Sequence, residues 1–181
     1  MGVVLARYTT DFDCGYETEW WWLIKDDPMD IGKLKAKRRN NITRGLKNCE
    51  IRKISPKVYA EQIYFVYIAA FQNYKKAGKA SSKESFITQC LNHEKDSHIE
   101  YYGAFLKDNG ELVGYSLNYV FEDWVDLSTL KFSPEYLSEQ VSAALIYVML
   151  YDYLNTQYKK CERSIRHVTN FQDYPIMYLL N

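Results

Sequence analysis

The sequence has no surplus of charge of either sign. Its 23 Lys and Arg stand against 23 Asp and Glu in 181 residues, so any pull on nucleic acid or an anionic membrane has to be local. Long hydrophobic runs are also lacking. The two longest, Ile63 to Phe71 and Ala143 to Tyr151, fall far short of the roughly 20 residues of a membrane-spanning helix. The start has no basic, apolar and small-residue leader, and Ala6 stands where a myristoylation motif has Ser or Thr; a cytoplasmic protein is expected. Cys14, Cys49, Cys90 and Cys161 form no C-x-x-C pair, and His93, His98 and His167 complete no ligand spacing with them. No metal is expected, and the thiols read as reduced packing residues. There is no internal repeat and no low-complexity tract, and the length suits one main core.

What is present is uneven. Residues 11–30 carry seven acids with Lys25 as the only base, and within them Glu19-Trp20-Trp21-Trp22-Leu23-Ile24-Lys25 favours a strand, either buried or serving as an aromatic platform. Asp30 is placed to cap a helix that runs from Ile31 to Leu46, with apolar residues at helical spacing. From Lys33 to Lys53 there are nine Lys or Arg and one acid, Glu50. Two readings of that basic face, centred on Lys37, Arg38, Arg39 and Arg44, stay open. It is a solvated surface with snorkelling stems, or it tracks the phosphates of a cofactor or tRNA.

Cys49 to Ile54 alternates like a half-buried strand. Ser55-Pro56 then predicts a helix start, and the helix it opens, to about Lys76, is apolar nearly all round and so expected to be largely buried. A shorter helix follows at about Lys83–Asn92. The period then changes. Strands are predicted over Ile99–Lys107, Glu111–Phe121 and Trp124–Phe132, the first two joined by a tight turn at Asp108-Asn109-Gly110, before Pro134 ends the meander. A helix over about Ser138–Asn155, a strand over Cys161–Arg166 and a short closing helix or turn over Val168–Leu179, containing Pro175, complete the order.

Strand, two helices, three antiparallel strands, helix, strand and helix resembles the GNAT acyltransferase fold: an α/β (α+β) protein with a mixed, mostly antiparallel sheet and helices on both faces. Particular segments are similar to FemAB-like and related GNAT-type acetyltransferase proteins. They are Leu34-Lys35-Ala36-Lys37-Arg38-Arg39-Asn40-Asn41-Ile42 leading into Cys49-Glu50-Ile51, Gly103-Ala104-Phe105 with Gly110-Glu111-Leu112-Val113-Gly114-Tyr115, and Asn170-Phe171-Gln172-Asp173-Tyr174. The resemblance implies that residues 1–32 are the remnant of an upstream half and that 33–181 form the GNAT-like domain with its leading basic helix, short of the last strands.

The resemblance also implies a site. The third meander strand would splay from the next and receive the pantetheine arm of acetyl-CoA or another acyl-CoA along Leu127, Ser128, Thr129, Leu130 and Lys131. The following helix would offer its N–H groups to the pyrophosphate around Ser138, Gln140 and Ser142. Two departures stand out: no glycine occurs in Glu135 to Ser142, and Ile176 occupies the position of the family's tyrosine acid, with Tyr174 nearby. The expected activity is transfer of an acetyl or aminoacyl group to the amine of a small molecule or peptide, with aminoacyl-tRNA as the alternative donor. Among Glu100, Glu122, Asp123 and Asp126, Asp126 is the favoured base because of its place near the splay. Two other readings remain: a non-catalytic module that binds tRNA or another anion, and a structural subunit or homodimer with an open sheet edge.

Overall fold

A computed structural model describes residues 20–73, 79–157 and 159–166. Among these residues six strands form one sheet in the order β1-β6-β5-β4-β3-β2, where β1 is Trp20–Lys25, β2 Cys49–Ile54, β3 Ile99–Leu106, β4 Leu112–Val120, β5 Trp124–Phe132 and β6 Lys160–Arg166. Every pairing is antiparallel except β5 with β6, which is parallel. The strand of the tryptophan-rich segment therefore joins the common sheet, lying beside β6 in a register that sets Trp20 against Arg166 and Lys25 against Cys161.

Alternation along the strands separates two cores. On one face α1 (Ala36–Asn48) and α4 (Val141–Tyr151) cover Tyr102, Val113, Val125 and Leu127, with Ile42, Leu145, Ile146 and Met149 fully buried against them. On the other, α2 (Ala60–Phe71) and α3 (Lys83–His93) cover Tyr101, Phe105, Tyr115 and Leu117 through Ile63, Val66 and Phe86. The mixed sheet with helices on both faces is as expected. Cys49, Cys90 and Cys161 are free, buried packing residues, and no group of three or more His, Cys, Asp and Glu among the described residues could hold a metal.

Several boundaries differ from expectation, each for a local reason. The basic helix is broken: Asp30 Oδ1 accepts from Gly32 N at 2.8 Å and caps only a 3-10 turn, Ile31–Lys33, after which Leu34 and Lys35 are extended and α1 begins at Ala36. Ser55-Pro56 makes a turn rather than a helix start. The Ser55 hydroxyl accepts from Val58 N at 3.1 Å and donates to Glu94 at 2.8 Å, and the helix proper starts at Ala60. Nor is α2 buried all round, because it meets the sheet with one stripe, Ala60, Ile63, Val66 and Ala70, and leaves Phe65 60% exposed. The hairpin turn at Gly110 is as read, with φ of 72°. The closing helix expected over Val168–Leu179 lies outside the described residues.

Candidate functional site

The strongest structural feature for function lies between β5 and β6. Their ladder covers Trp124 against Lys160, Val125 against Cys161 and Asp126 against Glu162, and ends there, while β5 runs on to Phe132 and β6 to Arg166. The two strands form a fork with Asp126 at its closed end. At the same point β5 is irregular against β4: Tyr119 pairs with Asp126 and Leu117 with Thr129, so the single residue Asn118 faces both Leu127 and Ser128. Such a bulge increases local twist and re-aims a strand, which is the cause we assign to the parting from β6.

Of the expected donor-binding residues, Leu127 to Lys131 lie on the open arm of β5. Leu127 is fully buried and turns its side chain into the α1/α4 core, Ser128 is exposed, and Thr129, Leu130 and Lys131 are half-buried, opposite Leu117, Ser116 and Tyr115 of β4. Asp126 is half-buried at the fork.

The segment after β5 departs from expectation. Pro134–Glu139 is a 3-10 turn, and α4 begins only at Val141, capped by Gln140 in the left-handed conformation (φ 61°, ψ 30°). Ser138 therefore lies outside the helix, and its hydroxyl donates to Glu139 at 3.4 Å; Ser142 is in the first turn. Gln140 supplies the carbonyl that takes the N–H of Ala144 at 3.2 Å. Here a side-chain-bearing residue adopts a backbone conformation that glycine takes most easily.

α1 grips this start of α4. Gly45 faces it so closely that a methyl group there would lie 2.4 Å from the Gln140 carbonyl oxygen. Asn48 donates to Glu139 at 2.5 Å, and the Arg44 guanidinium lies 3.9 Å from the same carboxylate. The end of α1 is held in turn by Lys107, whose ammonium donates to the Leu46 carbonyl at 2.7 Å, a cation on orphan C-terminal carbonyls. Of the four basic residues singled out from the sequence, Lys37 and Arg44 are exposed, whereas Arg38 and Arg39 are half-buried. Arg39 donates to the Leu34 carbonyl at 2.5 Å and so fixes the break before the helix. Tyr174 lies outside the described residues.

Elsewhere, His93 is a packing residue whose Nδ1 is 2.7 Å from the Tyr101 hydroxyl, and burial holds its pKa below the ordinary value. Sequence reasoning missed one constellation altogether, the Lys53, Glu100, Tyr102, Asp152 and Tyr153 group. In the sequence Glu100 stands only as a candidate base, and no spacing rule joins residues from β2, β3 and the end of α4.

No family model matches the sequence, and no curated protein matches it. Solved structures do match. A GCN5-related N-acetyltransferase from Sphaerobacter thermophilus superposes with a TM-score of 0.61 at 14% identity, over 87% of this chain and 45% of that one. A functionally unknown conserved protein from Staphylococcus epidermidis gives 0.57 at 11%, over 88% and 55%. L-PGS from Bacillus licheniformis gives 0.52 at 12%, over 87% and 51%. The fold is that of the GNAT proteins, and the chain spans about half the length of these relatives.

Proposed function

We propose that this chain is a GNAT-type acyltransferase domain that moves an acetyl or aminoacyl group to an amine on a small molecule or peptide. The observation that carries the reading is the fork: β5 and β6 part after three ladder pairs, and α4 begins just beyond the end of β5. An extended, amide-bearing arm laid into such a fork meets strand backbone on both sides, as an added strand would. Bound there, acyl-CoA would supply the activated thioester carbonyl; Leu127 to Lys131 would line its arm, and Asp126, at the closed end, would accept the proton that the attacking amine loses.

The other end of the arm fits a diphosphate poorly. Glu139 carries its carboxylate beside the start of α4, where it opposes a second anion, and Gln140 presents a Cβ where glycine would allow close approach. This observation favours a second reading, in which the chain binds tRNA, as aminoacyl donor or as plain ligand, through α1. Lys35, Lys37 and Lys47 make no ion pair among the described residues, and so are available to phosphates.

Calorimetric titration of acetyl-CoA, free CoA and bulk tRNA at low and moderate salt tests both. Saturable acetyl-CoA binding supports the fork as a donor cleft. Asp126→Asn should then retain donor binding and lose about 10²-fold or more in turnover in an acceptor screen. Absence of CoA binding, together with tRNA binding that weakens steeply with salt, replaces the first reading by the second.

A further inference from the structure

On the α1/α4 face of the sheet, four side chains are arranged around the ammonium of a fifth, Lys53. Lys53, near the end of the edge strand β2, places Nζ 2.9 Å from Glu100 Oε2 and 3.5 Å from Asp152 Oδ2. The same nitrogen lies 5.6 Å from the ring centroid of Tyr102 and 5.7 Å from that of Tyr153, within cation–π range of both. The rings themselves meet edge to face, 5.7 Å apart with planes at 75°. Two carboxylates and two aromatic walls enclose the cation.

The enclosure is built from behind. Tyr153 donates its hydroxyl proton to Glu100 at 2.8 Å, and Tyr102 donates to Asp152. Thr156 and Gln157 donate to Asp152 as well, at 2.6 Å and 2.9 Å. A π-helical turn, Asp152–Thr156, continues α4 and delivers both Asp152 and Tyr153, and such widened turns occur often at functional sites. Behind Tyr153 lies Asn118, fully buried, whose Nδ2 reaches the Tyr153 hydroxyl at 3.4 Å and whose Oδ1 has no partner among the described residues. Burial drives both tyrosine pKa values far above the ordinary one, so the hydroxyls remain donors. For Asp152, burial opposes ionisation, but hydrogen bonds from Thr156, Tyr102 and Gln157 and the Lys53 charge outweigh it and hold its pKa low.

Two features set this apart from an ordinary ion pair. Two carboxylates face one ammonium, so the box keeps an excess of one negative charge with Lys53 in place. The floor is closed and the mouth is open: Tyr102 and Tyr153 are buried, whereas the side chains of Lys53, Glu100 and Asp152 are 45%, 28% and 32% exposed. The occupant is held on a flexible four-carbon stem at the solvent side.

We propose that Glu100, Asp152, Tyr102 and Tyr153 form a receptor for the primary ammonium group of an incoming ligand, with Lys53 as the internal occupant that the ligand displaces. A primary ammonium suits it because its three N–H donors can reach two separate carboxylates while its charge faces the rings. A quaternary ammonium has no N–H to give, and a guanidinium prefers one carboxylate gripped in a planar fork. The proposal stands independently of the transfer reaction, since occupancy is read without turnover.

The test is NMR titration of the ¹⁵N-labelled protein with n-butylammonium chloride, against tetramethylammonium chloride and sodium chloride at matched concentration. Saturable shifts at Lys53, Glu100 and Asp152, specific to n-butylammonium, are expected in the parent protein. Lys53→Met removes the competitor and should tighten binding by about 10- to 100-fold, the factor by which an occupied site weakens apparent affinity. Glu100→Gln should abolish the response. Absence of saturable shifts in the parent, equal shifts with tetramethylammonium, or unchanged affinity in Lys53→Met each overturns the proposal and leaves Lys53 as a fixed structural partner. If Lys53→Met fails to fold, the parent titration and Glu100→Gln decide.

Discussion

Replacing Gly45 by alanine sets two physical effects against each other. Gly45 is buried in α1, and on helix propensity alone alanine should stabilise that helix by about 1 kcal/mol. Built on this backbone, however, the new Cβ would lie 2.4 Å from the Gln140 carbonyl oxygen and 2.8 Å from the Ala144 Cβ. Both separations are about 1 Å short of ordinary contact. Neither clash yields to a rotamer change, because one partner is backbone and the other is fixed to it. α1 must therefore lift from α4, loosening Ile42 and Leu46 and drawing Asn48 and Arg44 away from Glu139.

Overpacking of this kind costs about 1–3 kcal/mol, and with contacts this short the upper half of the range applies, so the net loss after the propensity gain is about 1–2 kcal/mol. At this chain length that lowers Tm by about 2–4 °C per kcal/mol. Urea unfolding followed by far-UV circular dichroism, with unchanged m, measures it. A Gly45→Ala protein as stable as its parent, or more stable, would refute the close crossing and with it the idea that α1 fixes the start of α4.

Other tests follow from the same geometry. Gln140→Gly should raise stability by up to about 1 kcal/mol, since relief of left-handed strain exceeds glycine's entropic cost, whereas the β-branched Gln140→Val should lower it by at least that much. Burial pushes the thiol of Cys90 up to about 11 and that of Cys161 up to about 12, so alkylation at pH 8, mapped by mass spectrometry, should reach them only in denaturant. Because both folded values exceed the ordinary 9.0, these thiols leave stability unchanged below pH 9 and erode it as pH rises towards 11 and 12; an unfolding midpoint flat through that window contradicts their burial. Replacing Lys35, Lys37 and Lys47 together by alanine should weaken tRNA binding and flatten its salt dependence by about 0.7–0.9 per lost contact, with the fold intact. Arg39 is spared in that variant because it closes the break before α1.

The sequence by itself determined the elements whose signals are local. Period-2 alternation marked β3, β4 and β5 to within a residue or two at their ends, Asp108-Asn109-Gly110 marked their first turn, and the helix read at about Lys83–Asn92 is α3, because side chains and backbone settle these questions among near neighbours. The order of elements was enough to reach the sheet with helices on both faces. Helix starts were less legible: Asp30 and Ser55 do accept hydrogen bonds as caps, but cap turns that stop short of α1 and α2, since whether a capped turn propagates depends on what it packs against. Only the tertiary structure decided that β1 lies beside β6, after how many pairs β5 and β6 part, and that α1 rather than a glycine loop secures the start of α4. The ammonium box shows the reason most plainly. Lys53, Glu100 and Asp152 are far apart along the chain, nothing in their spacing joins them, and the excess of one carboxylate exists only once β2, β3 and the π-turn are folded side by side.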